Sequence, residues 1–234
     1  MKLLVSDYDG TIKTFDKNPN LIESYIFKNN IKEINAFVNN DNKFIIATGR
    51  NTTSIQKEIN KYKILYNYLI SYNGRVIVDK DNNILNAEYI DNDFICELDN
   101  LYMKDLTLYN EYKETNYENK LIYIYVTLGS RKNINDYINY LKDKYPNLEI
   151  SYNILFNTLI VRRKYNKLMA INELLGLNII DINREDIITI GDDKNDKEMI
   201  KYYNGYRMLI SNPKLLFTTN NVATSVHKLI KKIQ

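Results

Sequence analysis

The chain has 234 residues, a formal net charge of +3, one cysteine and one histidine. Cys96 alone excludes an internal disulfide and a cysteine-built zinc site, and His227 alone excludes sites built on two or more imidazoles. There is no apolar run of the roughly 18–20 residues a membrane span needs, no early apolar stretch for a secretory signal and no dense basic block for nucleic acid, so no membrane or nucleic-acid partner and a cytoplasmic location are expected.

Residues 2–6 (KLLVS) form a short apolar run that ends in Asp7-Tyr8-Asp9-Gly10-Thr11, as a buried parallel strand ends in a loop. From Asn20 to Val38, apolar residues at mixed spacings of three to five predict one amphipathic helix. A second strand over 43–47 (KFIIA) stops at Thr48-Gly49-Arg50. Helix 52–62 follows, and a third strand over 68–72 (YLISY) stops at Asn73-Gly74. Strand, helix, strand, helix, strand is a parallel α/β order, whose ligands gather at the carboxyl ends of the strands.

The pattern changes next. Residues 75–78 and 84–89 flank Asp79-Lys80-Asp81-Asn82-Asn83 and read as a hairpin. A helix near 91–103, a strand at 121–128, a helix at 134–145 and strands at 148–152 and 155–161 complete an α+β insert. The first pattern then resumes with helix 167–175, closed at Gly176, then strand 186–190 ending in Gly191-Asp192-Asp193 and helix 195–202. A strand at 206–210 and a closing helix at 223–233 complete it. The expected fold is a Rossmann-like three-layer α/β core with a parallel sheet, residues 1–78 and 161–234, split by an α+β cap at 79–160.

Three strand ends carry the chemistry: Asp7-Tyr8-Asp9, Thr48-Gly49-Arg50 and Asp192-Asp193-Lys194-Asn195-Asp196. A parallel sheet brings all three to one edge. Carboxylates crowded there repel one another unless a cation sits among them. With oxygen donors and no His or Cys nearby, a hard cation is expected, and Mg²⁺ fits best.

These residues resemble the motifs of the haloacid dehalogenase (HAD) superfamily. Val5-Ser6-Asp7-Tyr8-Asp9-Gly10-Thr11 looks like its first motif, Ile46-Ala47-Thr48-Gly49-Arg50 its second and Lys167 its third. Ile190-Gly191-Asp192-Asp193-Lys194-Asn195-Asp196 looks like the fourth, and Met199 also fits. Ser71-Tyr72-Asn73-Gly74 and Val222-Ala223 are similar to elements of the Cof-type (class IIB) branch. Arg75 stands after Asn73-Gly74 where that branch usually has a small residue.

The resemblance implies a Mg²⁺-dependent phosphatase of small phosphorylated metabolites, sugar phosphates among them, in which a cap excludes water. A phosphomutase or phosphotransferase with the same aspartyl-phosphate is the alternative. Asp7 is the expected nucleophile and Asp9 the acid and base. Thr48 and Gly49 are expected to hold a phosphate oxygen, with Lys167 as a fixed positive charge. Asp7, Asp192 and the Asp9 backbone carbonyl are the expected metal ligands. Thr11 braces the first loop, and Asp193 or Asp196 acts through water or orients Lys167. Asn195 hydrogen-bonds near the nucleophile. Arg50 either binds substrate or forms a salt bridge, and Asn73 either contacts substrate or makes a turn. His227 is expected at the surface, and Cys96 as a small packing residue.

Overall fold

Leu3, Leu4, Val5 and Ser6 are all fully buried, which is the burial of a central parallel strand covered on both faces. This strand, β1 (Leu3–Ser6), lies inside an eight-stranded sheet. Its other members are β4 (Lys43–Ala47), β5 (Tyr68–Ser71), β6 (Val76–Asp79), β7 (Ile84–Ala87), β12 (Ile187–Gly191), β13 (Asn204–Met208) and β14 (Val222–Ala223). The order is β14-β13-β12-β1-β4-β5-β6-β7. The strands from β14 to β5 run parallel, and β6 and β7 turn back antiparallel.

The computed structural model describes residues 1–15, 24–26, 28–90, 93–94, 96, 109–117, 120–128, 134–155 and 158–234. The chain divides into two compact units, residues 1–87 with 165–234, and residues 88–164. The predicted hairpin therefore extends the core sheet. Val76, Ile77 and Val78 are fully buried, and Ile77 pairs with Ile70 of β5. A run with no polar face needs cover on both faces of the sheet, and Ile77 packs with Ala170, Ile171 and Leu174 on one of them.

In the core unit, alternate residues of the strands face opposite layers. Leu3, Val5, Ile45, Ala47, Ile70 and Ile77 pack in one cluster with Ala170, Ile171 and Leu174 of helix α4 (Lys167–Gly176). Met199 and Ile200 of α5 (Lys197–Tyr202) join the same cluster. On the other side, α1 (Lys28–Asn39) packs against β4 and the closing helix α6 (Val226–Ile233). The remaining core helix, α2 (Thr52–Tyr62), starts at Asn51, whose side chain caps the Ser54 amide at 2.7 Å.

The predicted helix 20–38 is shorter than its pattern. Ser24–Ile26 (β3) pairs antiparallel with Lys13–Phe15 (β2), and the helix begins at Lys28. After α4 the left-handed residue is Asn178 (φ 54°), and Gly176 is still helical.

The unit 88–164 holds an antiparallel sheet in the order β10-β11-β9-β8, formed by Leu148–Asn153, Thr158–Arg163, Lys120–Leu128 and Tyr109–Tyr117. Helix α3 (Ile134–Lys144) packs on β10. Strand β8 (YNEYKETNY) has little aliphatic content, so its sequence gives no strand signal; it is an edge strand, where polar residues are tolerated. The helix predicted at 91–103 lies largely outside the described residues. Cys96 is exposed and is not a packing residue. No helix among the described residues is long and apolar enough to cross a membrane.

Leu174 is fully buried in the α4 layer. Leu174→Ala should cost about 2–5 kcal/mol, read as a lower urea midpoint, whereas exposed Leu177→Ala should move it by no more than about 0.5 kcal/mol.

Candidate active site

Strands β12, β1, β4 and β5 are adjacent and parallel, so their carboxyl ends share one edge. The residues just past those ends are Asp192, Asp7, Thr48 and Tyr72-Asn73-Gly74. From β1 the chain goes to β4 and β5 on one side, while β12 and β13 lie on the other. A crevice opens at such a reversal of strand order, and here Asp7 and Asp192 flank it.

Lys167 is the first residue of α4, and its position is set by two features. The Asn166 side chain accepts the Met169 amide at 2.8 Å and so starts the helix there. Gly74 (φ 109°) lets that helix end come close: a Cβ on it would lie 2.3 Å from the Asn166 carbonyl oxygen. Lys167 Nζ then reaches Asp7 Oδ1 and Asp196 Oδ1, each at 2.6 Å. All three side chains are buried.

Asp196 is fully occupied. Its Oδ1 takes Lys167, and its Oδ2 accepts the amides of Asp192 at 3.1 Å and Asp193 at 3.0 Å. Of the two roles open to Asp193 and Asp196, orienting Lys167 thus falls to Asp196. Asp193 instead accepts from Asn212 Nδ2 at 2.7 Å. The Asn212 amide also donates to the Asp192 carbonyl at 2.7 Å, so Asn212 holds the fourth loop from outside. Asn212 was not among the sequence candidates; its only signal is a polar residue before Pro213 at a strand end.

Asp7, Asp192 and Asp196 each bring a carboxylate oxygen within 4.8 Å of the others. One ammonium serves these three carboxylates. Burial raises Asp7 well above the usual carboxylate range, against the pull of Lys167. Burial and the Asp196 charge push Asp192 up to about 6. Burial alone would depress Lys167, but the charges of Asp196 and Asp7 raise it above the ordinary lysine value. The donors are hard oxygens and the site is short of positive charge, so these residues fit a divalent cation. Asp196 takes three donors on its two oxygens, whereas Asp7 takes Lys167 and Asp192 takes Thr11 on one oxygen each.

Thr11 Oγ1 donates to Asp192 Oδ1 at 3.2 Å, bracing the first loop against the fourth. Gly10 (φ 80°) permits that approach, because a Cβ there would lie 2.0 Å from Asp192 Oδ2. Thr48 is buried, and its Oγ1 accepts the Arg50 amide at 3.2 Å. Gly49 lies against the Asn73 side chain. Asn195 Nδ2 donates to Asn73 Oδ1 at 2.8 Å. Asn73 is left-handed (φ 55°), and its amide donates to the Thr48 carbonyl at 2.9 Å, so it makes the turn and joins the second and fourth loops.

Arg50 forms a fork on Asp9, Nε to Oδ2 at 2.6 Å and Nη2 to Oδ1 at 2.5 Å. Of the two alternatives for Arg50, this structure holds the salt bridge. Arg75 is buried and donates to the Tyr72 carbonyl at 3.1 Å. His227 is half-buried, with its ring Nδ1 3.1 Å from Asn30 Oδ1.

Removing Lys167 would leave buried carboxylates facing one another. Lys167→Met should destabilise the core by about 3–5 kcal/mol in urea unfolding at neutral pH without added cation.

Comparison with known proteins places the chain in a family. A family model described as haloacid dehalogenase-like hydrolase matches residues 4–106 and 97–228. An uncharacterized protein of Mycoplasma capricolum is 27% identical over 249 residues, covering 88% of this chain and 89% of that one. A HAD/COF-like hydrolase from Plasmodium vivax superposes with a TM-score of 0.70 at 19% identity, covering 100% of this chain and 95% of the other. A sugar phosphatase of HAD subclass IIB does so at 0.69 and 16%, covering 99% and 98%. At these identities the two structures speak for the fold, whereas the family model takes in all four loops of the site. The chain belongs to the haloacid dehalogenase-like hydrolases.

Proposed function

We propose that this hydrolase is a Mg²⁺-dependent phosphatase that cleaves small phosphorylated metabolites, with sugar phosphates the first class to test, through an aspartyl-phosphate on Asp7. The observation that carries the reading is the buried Asp7 carboxylate, gripped by Lys167 through one oxygen at the crevice it shares with Asp192. The sugar phosphatase among the structural neighbours supports the substrate class.

In the first half-reaction an Asp7 oxygen attacks phosphorus and forms the O–P bond. The ester P–O bond breaks, and Asp9 gives its proton to the leaving alkoxide. In the second, water attacks the phosphoryl group, Asp9 takes the water proton, and the bond to Asp7 breaks to release inorganic phosphate. Lys167, Thr48 Oγ1 and the Gly49 amide balance charge on the phosphoryl oxygens. Mg²⁺ held by Asp7, Asp192 and the Asp9 carbonyl would supply charge neutralisation between carboxylates and phosphate. A carboxylate nucleophile needs no separate base to activate it, which suits a chain with one histidine.

A panel of phosphate monoesters with Mg²⁺ tests the reading by phosphate release. Asp7→Asn should reduce turnover to background, and Asp9→Asn should lower it by about 10²–10⁴-fold. Absence of turnover by the wild-type protein across the panel would overturn the assignment.

Cation binding has its own readout. Mg²⁺ should raise the melting temperature of the wild-type protein, because it binds only the folded arrangement of Asp7 and Asp192. Asp192→Asn should lose that rise, and chelation should reverse it in the wild type.

A further inference from the structure

The residues that hold Asp9 form a network that joins the first and second motifs to Lys13 and Glu58, which lie outside them. Arg50 grips both Asp9 oxygens, and its guanidinium carbon lies 5.2 Å from the centroid of the Tyr8 ring. Tyr8 is fully buried, and its hydroxyl donates to Glu58 Oε2 at 3.1 Å. The same Glu58 oxygen takes Lys13 Nζ at 2.7 Å. Lys13 closes the loop through its backbone: its amide donates to the Tyr8 carbonyl at 2.8 Å, and its carbonyl accepts the Gly10 amide at 2.6 Å. Arg50 and Glu58 belong to one short segment, the second loop and the first turns of α2. That segment therefore holds the Asp9 loop at three points: the Asp9 carboxylate, the Tyr8 hydroxyl and the Lys13 ammonium. Glu58 is the only acidic residue in the sequence of α2.

We infer that Arg50 and Glu58 are positioning residues for Asp9, and that Arg50 does not bind substrate. This rests on the phosphatase reading above, since it concerns where the acid and base of that reaction sits. A planar fork on both carboxylate oxygens fixes the orientation of Asp9 as well as its place, which a lysine cannot do. The Tyr8 ring supports the guanidinium from below, and Glu58 keeps Tyr8 and Lys13 in place. Each Asp9 oxygen keeps lone-pair capacity for a proton beside the fork.

The kinetic signature separates position from binding. An alkyl phosphate needs Asp9 in both half-reactions; an aryl phosphate with a good leaving group needs it only in the second. Arg50→Lys should lower kcat for a sugar phosphate by about 10²-fold with KM unchanged. With p-nitrophenyl phosphate the same variant should release one equivalent of nitrophenol per enzyme in a burst, then turn over slowly. Glu58→Ala should show a smaller loss of the same pattern and add nothing when combined with Arg50→Lys. Glu58→Gln, whose amide oxygen still accepts from Tyr8, should recover part of the loss. A rise in KM with kcat kept, an equal slowing of the burst and the sugar phosphate reaction, or unchanged kinetics would each overturn the inference. If the wild-type protein turns over neither substrate, the phosphatase reading has failed before any variant is compared, and this inference falls with it.

Discussion

A lysine ammonium sealed inside a protein must be paired, and the pairing of Lys167 with Asp7 and Asp196 organises the core unit around the strand ends. Asp7 comes from the end of β1, Lys167 from the start of α4, and Asp196 from the turn after β12. The three converge only if the sheet places β1 beside β12 and α4 starts against the turn after β5. Gly74 allows the second condition by admitting the Asn166 backbone. The positive residue also sits at a helix N-terminus, where the dipole disfavours it, and the two carboxylates offset that.

Two carboxylates suffice for one ammonium; the third, Asp192, leaves the site short of positive charge. Burial, and then the neighbouring carboxylate charges, raise Asp7 and Asp192. Asp196 is removed from competition by two backbone amides and the lysine, and Gly191 makes room for it, since a Cβ there would lie 2.4 Å from the Asp196 carboxyl carbon. Division of labour among chemically identical aspartates is thus set by which donors reach each of them. Asp7 and Asp192 stay open toward the crevice, Asp193 turns out to Asn212, and Asp9 is taken by Arg50.

Much of the fold was legible because buried parallel strands leave a strong mark. KLLVS, KFIIA and DIITI are short apolar runs that stop at small or polar residues. What escaped had weak or misleading patterns. Ser24–Ile26 carries residues that continue a helical spacing, yet it pairs with β2, a long-range choice that periodicity does not register. The strand Tyr109–Tyr117 is polar because it is an edge. The hairpin was legible, but its sheet was not, since hydrophobic runs state that they are buried and not against what.

The sequence by itself determined the acidic strand ends, the order of strands and helices, and therefore the edge on which Asp7, Thr48, Asn73 and Asp192 meet. Alternation and strand order are local properties, readable one segment at a time. Only the tertiary structure decided which aspartate orients Lys167, that Arg50 forks onto Asp9, that Asn195 bonds Asn73, and that Glu58 joins Tyr8 and Lys13. Those pairings span 29 to 160 residues of chain for Lys167 and 122 for Asn195. They depend on which of several like side chains comes within angstrom-scale reach of a partner, and spacing along a sequence carries no information at that scale.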